Sequence, residues 1–342
     1  MRLIKTEDAV GHVLCHDMTQ IIKDQYKDAR FRKGHVVTEE DIPVLLSMGK
    51  EHLYVWEMTS GMVHENDAAE RLLALCGQEN MIRSGVKEGK IELKAACDGV
   101  FLVDSARLVA VNSQDEVMIA TRKGGMAVRE GDKLAGMRVI PLIIEEEKLR
   151  KAEQAAGDKP LLSLKPYVRK TACIVATGGE VKKGLIKDTF TPVVIDKLKT
   201  YGIETLEVVY SGDGVENVRD AVLTMREKKP DMILCTGGMS VDPDDRTPLA
   251  IKNTGARIVS YGAPVLPGAM FLLSYYGEKQ VPVMGLPGCV MYAKRTIFDL
   301  VLPRVLACDL VTADELAALG EGGLCLNCAV CTYPACGFGK GW

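Results

Sequence analysis

The chain has 342 residues, a length that sets a prior of about two domains, and its hydrophobic (47%) and charged (26%) fractions are those of a globular protein. Its 43 basic and 46 acidic side chains leave a formal charge of -3, which removes the basic footprint of a general nucleic-acid binder. No apolar run reaches the roughly 18 to 20 residues that span a bilayer, and the first ten residues, with Lys5, Glu7 and Asp8, do not read as a signal peptide. The expectation is a cytoplasmic protein with neither nucleic acid nor membrane as partner. Disulfides are rare in that compartment, so clustered cysteines point to metal before they point to staples.

In chain order, Thr38-Glu39-Glu40-Asp41 reads as a helix start, with Ile42, Leu45 and Leu46 as its apolar stripe and Gly49 as its end. A strand is expected over Leu53–Trp56 and a helix over Asn66–Cys76. The stretches Val100–Val103, Leu108–Val111 and Val117–Ala120 read as short strands with turns at Asn112-Ser113 and Gly124-Gly125. Glu145 to Lys159 reads as a charged helix running into a linker. From Thr171 the rhythm changes. Strands are expected at Cys173–Thr177, Ile203–Tyr210, Met232–Thr236 and Val281–Met284. Helices are expected at Phe190–Tyr201, Val215–Lys229 and from about Val290 to Leu306. Alternating strands and helices predict an α/β fold with a mostly parallel sheet covered on both faces. The expected organisation is an N-terminal α+β module over 1–150, smaller and mainly β, then a linker over 151–170, an α/β domain over 171–310 and a Cys-rich tail over 311–342.

Three Gly-rich turns follow three of these strands: Thr177-Gly178-Gly179-Glu180, Thr236-Gly237-Gly238-Met239-Ser240 and Gly285-Leu286-Pro287-Gly288. In a parallel sheet they fall on one edge, where ligands bind, and glycine lets the backbone approach a ligand closely. The last turn is expected to open a helix whose N-terminus attracts anions. Neither the dinucleotide G-x-G-x-x-G nor the P-loop pattern occurs in this context. The acidic residues near the turns are Glu180, Asp188, Asp213, Asp242, Asp244 and Asp245. A carboxylate at a phosphate site is offset by a cation, and Mg²⁺ commonly joins one or two carboxylates to substrate phosphates; the bland alternative is solvated carboxylates, with Asp244 or Asp245 capping the next helix. Lys182, Lys183, Lys187, Arg246, Lys294 and Arg295 are the basic candidates for a phosphate. Cys173 and Cys235 read as core residues, and Cys289, at an expected helix start, as a thiol of lowered pKa.

In order, Thr177-Gly178-Gly179-Glu180-Val181, Gly184-x-Ile186-x-Asp188-Thr189, Thr236-Gly237-Gly238 with Asp245-x-Thr247-Pro248, and Gly285-Leu286-Pro287-Gly288 resemble the molybdopterin-binding domain of molybdenum-cofactor biosynthesis proteins over about residues 171–306. The resemblance implies a three-layer α/β domain that binds molybdopterin, a phosphorylated pterin dithiolene, for adenylyl transfer or molybdate insertion. It assigns Glu180 and Asp245 to the metal and phosphate chemistry, with Mg²⁺. Thr177, Gly178, Gly179, Asp188, Thr189, Thr236, Gly237, Gly238, Ser240, Thr247, Pro287 and Gly288 would form the cradle. It also implies a pterin or nucleotide partner, molybdoenzymes or other cofactor-synthesis proteins as protein partners, and a homodimer as one oligomeric form. The chain departs from the family's Thr-Gly-Asp-Glu-Leu at Gly179, losing one carboxylate. Asp244-Asp245-x-Thr247 is also similar to the acidic motif of competence-damage-inducible proteins, which cleave nucleotide pyrophosphates. A third reading is a non-catalytic pterin carrier or redox or metal sensor.

The tail carries Cys325-x2-Cys328-x2-Cys331-x4-Cys336, four thiols within twelve residues. That is enough for one iron–sulfur cluster or one tetrahedral zinc; the alternative is a flexible terminus. The seven other cysteines are isolated, and His12-x2-Cys15-His16 reads as surface or packing rather than as a metal site.

Overall fold

The structure, a computed structural model, describes residues 2–22, 26–55, 61–240, 242 and 245–341. Trp56 and Asp244, named above from the sequence, lie outside the described residues. The chain divides into two compact units. One comprises 1–96, 103–122 and 130–163; the other comprises 97–102, 123–129 and 164–342.

In the first unit Arg2–Lys5 pairs antiparallel with His52–Val55, and Met18–Ile22 pairs with Tyr26–Phe31. The expected helix is Asp41–Ser47. Thr38 does not cap it as a side-chain acceptor; instead the Asp41 carboxylate accepts from the Thr38 N–H and hydroxyl (both 2.8 Å) and lies 2.7 Å from His35 Nε2. Helix Glu65–Leu75 and a four-stranded sheet in the order Met81–Arg83, Ile91–Ala95, Lys133–Val139, Val117–Thr121 follow. Leu108–Val111, expected as a strand, lies inside helix Ser105–Asn112. The Asp104 carboxylate accepts from the Arg107 N–H at 3.1 Å, a helix cap that outweighs the modest strand preference of Val109 and Val111. Helix Glu146–Ala156 ends at Gly157, whose φ of 63° suits glycine. Leu162–Pro166, within the stretch read as a linker, is a strand of a three-stranded sheet with Gly99–Val103 and Met126–Val128, a sheet that falls mostly in the second unit.

The second unit is built on a six-stranded sheet in the order Glu204–Ser211, Thr171–Thr177, Met232–Thr236, Val281–Leu286, Leu272–Tyr276, Arg257–Tyr261. The first four strands are parallel and the last two antiparallel. Alternate residues of each central strand serve two different cores, as expected of a sheet covered on both sides. Ala172, Ile174, Met232, Leu234 and Met284 pack with Val194 and Leu198 of helix Phe190–Lys199 and with helix Ile297–Leu306. Cys173, Val175, Ile233, Cys235 and Val283 pack with Val218, Val222 and Met225 of helix Val215–Glu227 and with helix Thr247–Lys252. This is the three-layer α/β fold expected from the sequence.

One expectation about the C-terminal stretch is corrected. The helix read from Val290 begins at Ile297; only a 3-10 turn, Gly288–Met291, follows the third Gly-rich turn. Thr296 and Asp299 form a reciprocal capping box that fixes the later start. The antiparallel pair Arg257–Tyr261 and Leu272–Tyr276 went unread in the sequence. At the opposite edge from the Gly turns, the buried Arg169 guanidinium donates to the carbonyls of Val305 (3.0 Å), Asp231 (2.7 Å) and Gln280 (2.9 Å). Five N–H donors in a planar fork suit this three-way tie.

Candidate functional site

Register places the three Gly-rich turns side by side. Ala176 pairs with Thr236, and Thr236 with Leu286, so Gly178, Gly237 and Pro287 leave neighbouring parallel strands at one edge. The turns are interlocked. Thr177 Oγ1 donates to the Thr236 carbonyl (2.8 Å), and Thr247 Oγ1 donates to the Gly237 carbonyl (2.9 Å). These two threonines therefore hold the turns in place, and Thr236 is itself buried.

The glycines of the second turn are required by space as well as by conformation. Gly237 has φ 83°, and a Cβ there would lie 2.6 Å from both the carbonyl and the hydroxyl oxygen of Thr177. Gly238 has φ 61°, and its Cβ would meet Thr247 Oγ1 at 2.5 Å. Both φ values lie in the left-handed region that favours glycine. Gly178 (φ 142°) starts the short helix Gly179–Lys182, and the Gly179 N–H donates to Asp213 Oδ2 at 2.8 Å. Gly288 differs from these. It is exposed, and a Cβ there would meet nothing within 4 Å. Nothing in the protein demands glycine at that position, so its bare backbone fits close approach by a ligand.

The acidic residues divide by task. Asp245 Oδ2 accepts from the Ser240 N–H at 2.9 Å, which ties down the second turn. Glu180 is exposed on the short helix after the first turn. Asp188 is occupied by the protein. Its Oδ1 accepts from the N–H groups of Phe190 (2.9 Å) and Thr191 (3.0 Å), and its Oδ2 from the Tyr210 hydroxyl (3.2 Å). Burial raises its pKa, but these hydrogen bonds outweigh burial and hold the carboxyl below its ordinary value. Thr189 Oγ1 lies 3.1 Å from Met291 Sδ, which brings the 184–189 loop against the turn that follows Gly288.

Of the basic candidates, Lys182, Lys183 and Lys187 are exposed beside the first turn. Lys294 and Arg295 point elsewhere: Lys294 Nζ donates to the Ala329 carbonyl at 2.9 Å, and Arg295 Nη1 to Asp299 at 2.9 Å. Cys173 and Cys235 are buried, and burial pushes the Cys235 thiol up to about 12. Cys289 is also raised by burial, against the expectation of a lowered pKa. The physical reason is that no α-helix starts there to supply a macrodipole.

Residues 173–307 match the family described as a "probable molybdopterin binding domain". The C-terminal domain belongs to this molybdopterin-binding family. Residues 3–57 match a second family, described only as a domain of unknown function (DUF8806). The molybdopterin molybdenumtransferase of Synechococcus elongatus is 23% identical over 217 residues, covering 60% of this chain and 52% of that protein. A CinA-like protein of Petrotoga mobilis is 30% identical over 83 residues, covering 24% of this chain and 20% of that protein. The chain thus spans about half the length, or less, of these curated relatives. Among solved structures, the molybdopterin biosynthesis enzyme MoaB of Thermus thermophilus aligns at 18% identity and a TM-score of 0.34, covering 41% of this chain and 96% of that one.

The sequence reading of this molybdopterin-binding domain missed a fourth turn, Ser211-Gly212-Asp213-Gly214, after strand Glu204–Ser211, whose Asp213 anchors the first turn. It also missed Tyr261, whose hydroxyl donates to the Met239 carbonyl at 3.1 Å. Burial, and then the charge of Asp245, raise the Tyr261 pKa, so this phenol stands close to the second turn. The Gly-Asp-Gly spacing was available as a signal; Tyr261 had none, because its strand was not recognised.

The four tail cysteines are brought to one cavity. Among the described residues no three His, Cys, Asp or Glu side chains are grouped to hold a single metal ion. The expectation of an iron–sulfur cluster or a zinc on the four thiols therefore finds no preassembled ligand group among the described residues. No helix among the described residues is long and apolar enough to cross a membrane.

Proposed function

We propose that the second unit binds molybdopterin with its phosphate on the three Gly-rich strand ends and positions it for adenylyl transfer or molybdate insertion in molybdenum-cofactor biosynthesis. The observation that carries this reading is the convergence of Gly178, Gly237 and Gly288 on one edge of the parallel sheet, with open space at Gly288. Glu180 and Asp245 would share a Mg²⁺ with substrate phosphates, and Lys182, Lys183 and Lys187 would add positive charge at the rim. Catalysis of this kind is positioning and electrostatic stabilisation rather than covalent chemistry by the protein. The test is an anaerobic titration with molybdopterin, followed by incubation with Mg²⁺-ATP or with molybdate. Saturable binding with formation of an adenylylated pterin identifies adenylyl transfer, and loading of molybdenum identifies insertion. Absence of binding overturns the proposal.

A second reading, hydrolysis of a nucleotide pyrophosphate, is favoured by the CinA-like stretch and by Asp245-x-Thr247 at the second turn. It predicts Mg²⁺-dependent release of AMP from dinucleotide pyrophosphates that is lost in Asp245→Asn. No turnover of such substrates removes it.

A further inference from the structure

The tail is tied to the rest of the second unit at several points. Leu266 and Leu324 form a parallel bridge: the Leu266 N–H donates to the Gly323 carbonyl and the Cys325 N–H to the Leu266 carbonyl, both at 2.8 Å. Phe338 is buried in the same core as helix Ile297–Leu306, and the Tyr333 hydroxyl donates to the Asp299 carbonyl at 3.3 Å. The Gly339 N–H closes the segment by donating to the Gly322 carbonyl at 3.0 Å. A twelve-residue loop dense in cysteine is therefore pinned at both ends.

Between those pins lies a cavity of about 560 Å³ whose wall includes all four of Cys325, Cys328, Cys331 and Cys336. The wall also includes Lys294, Arg295, Leu324, Leu326 and Phe338. The pattern does not suit a single ion. Tetrahedral zinc bonds each thiolate at about 2.3 Å and so requires the sulfurs to be drawn together, whereas all four cysteines line one cavity and no three of them are grouped for a single ion among the described residues. A polynuclear cluster carries each thiolate on a different iron and fills such a space. Its negative charge meets Lys294 and Arg295, and the Arg295 Nε is buried with no partner among the described residues. The Tyr333 backbone and the Arg295 side chain lie beside Cys331, where N–H groups can support cluster ligation at sulfur.

From this geometry we infer that the tail cavity binds a four-iron, four-sulfide cluster through Cys325, Cys328, Cys331 and Cys336. The site is independent of the pterin reading, although one loop touches both. Residues 288–296 leave the third Gly-rich turn and, through Tyr292, Lys294 and Arg295, form part of the cavity wall.

The full-length chain is purified without oxygen and reconstituted with ferric iron and sulfide under a thiol reductant, which reduces two of every four irons to the ferrous state. Iron and acid-labile sulfide per chain, visible absorption and the electron paramagnetic resonance of the dithionite-reduced sample are then read. The expected result is about four irons and four sulfides per chain with a broad sulfur-to-iron absorption band. Cys328→Ala and Cys331→Ala alter exposed thiols, so far-UV circular dichroism is expected to be unchanged while cluster content falls at least severalfold. Cys308→Ala, an exposed thiol outside the cavity, retains full content. Stoichiometric zinc with no sulfide uptake overturns the inference, as does cluster content unchanged in the folded Cys328→Ala/Cys331→Ala double variant.

Discussion

Gly237 and Gly288 sit in neighbouring turns, yet alanine at each should have opposite effects. At Gly237 alanine is forced to φ 83°, which costs about 1–2 kcal/mol, and its Cβ would press on the carbonyl and hydroxyl of Thr177 at 2.6 Å. The oxygen atoms are fixed by the Thr177–Thr236 hydrogen bond, so relief requires movement of the turn, at about 1–3 kcal/mol for overpacking. Loss of glycine's freedom in the unfolded chain returns about 0.4–1 kcal/mol. Gly237→Ala should therefore destabilise the protein by roughly 2–4 kcal/mol. At Gly288 neither φ nor neighbours object, so only the unfolded-state effect remains and Gly288→Ala should be neutral or slightly stabilising. If the pterin approaches that backbone, the added methyl intrudes on it, and the same 1–3 kcal/mol corresponds to a loss of about 5- to 150-fold in affinity. Urea unfolding followed by circular dichroism gives the first quantity, and fluorescence titration with molybdopterin gives the second. A Gly288→Ala protein that is stable and binds molybdopterin as tightly as the parent would refute ligand approach at the third turn. A Gly237→Ala protein of unchanged stability would refute the steric account of the second.

Three other changes test the supports of the site. Arg169→Met should leave three carbonyls without their donor and lower stability by about 3 kcal/mol or more in urea unfolding, since each buried polar group left unpaired costs about 1–3 kcal/mol. Asp188→Ala should cost about 1–2 kcal/mol by removing the acceptor at the start of helix Phe190–Lys199, and Asp188→Asn should restore most of it, as thermal melts can show. Acid should weaken the first unit as its buried histidines are forced to take up protons. Burial lowers the pKa of both His16 and His64, and the hydrogen-bond network assigns the His64 proton to Nε2, which donates to the Cys15 carbonyl at 2.7 Å while Nδ1 accepts from the Asn66 N–H. The unfolded histidines take up protons near pH 6.5 while the folded ones resist, so the unfolded state binds more protons and stability falls as pH drops below about 6.5. Urea midpoints at pH 7.5 and 5.5 should differ in that direction, and His16→Gln should shrink the gap; an unchanged midpoint would contradict it.

Much of the second unit was legible because its signals are local. Met232–Thr236 is an uninterrupted apolar run, and Val218, Val222 and Met225 repeat at helical spacing, so each element declares itself without its neighbours. Leu108–Val111 failed because its β-branched residues carry a weak preference that a cap from Asp104 and tertiary packing override. The helix after Gly288 failed on the same ground: four apolar-flanked residues read as helical until Thr296 and Asp299 cap a later start.

The sequence by itself determined the chemistry on offer: glycines after strands, carboxylates next to them, and four thiols within twelve residues. Those follow from residue type and spacing, which no fold can change. Only the tertiary structure decided which of these groups face a ligand. It turned Thr177, Thr247 and Asp188 inward as supports, left Gly288 bare, moved Lys294 and Arg295 away from the pterin edge, and brought the four tail cysteines to the wall of one cavity. The reason is that a polar atom's availability depends on whether a partner distant in sequence has already claimed it, and such partners meet only when the sheet and its covering helices are assembled.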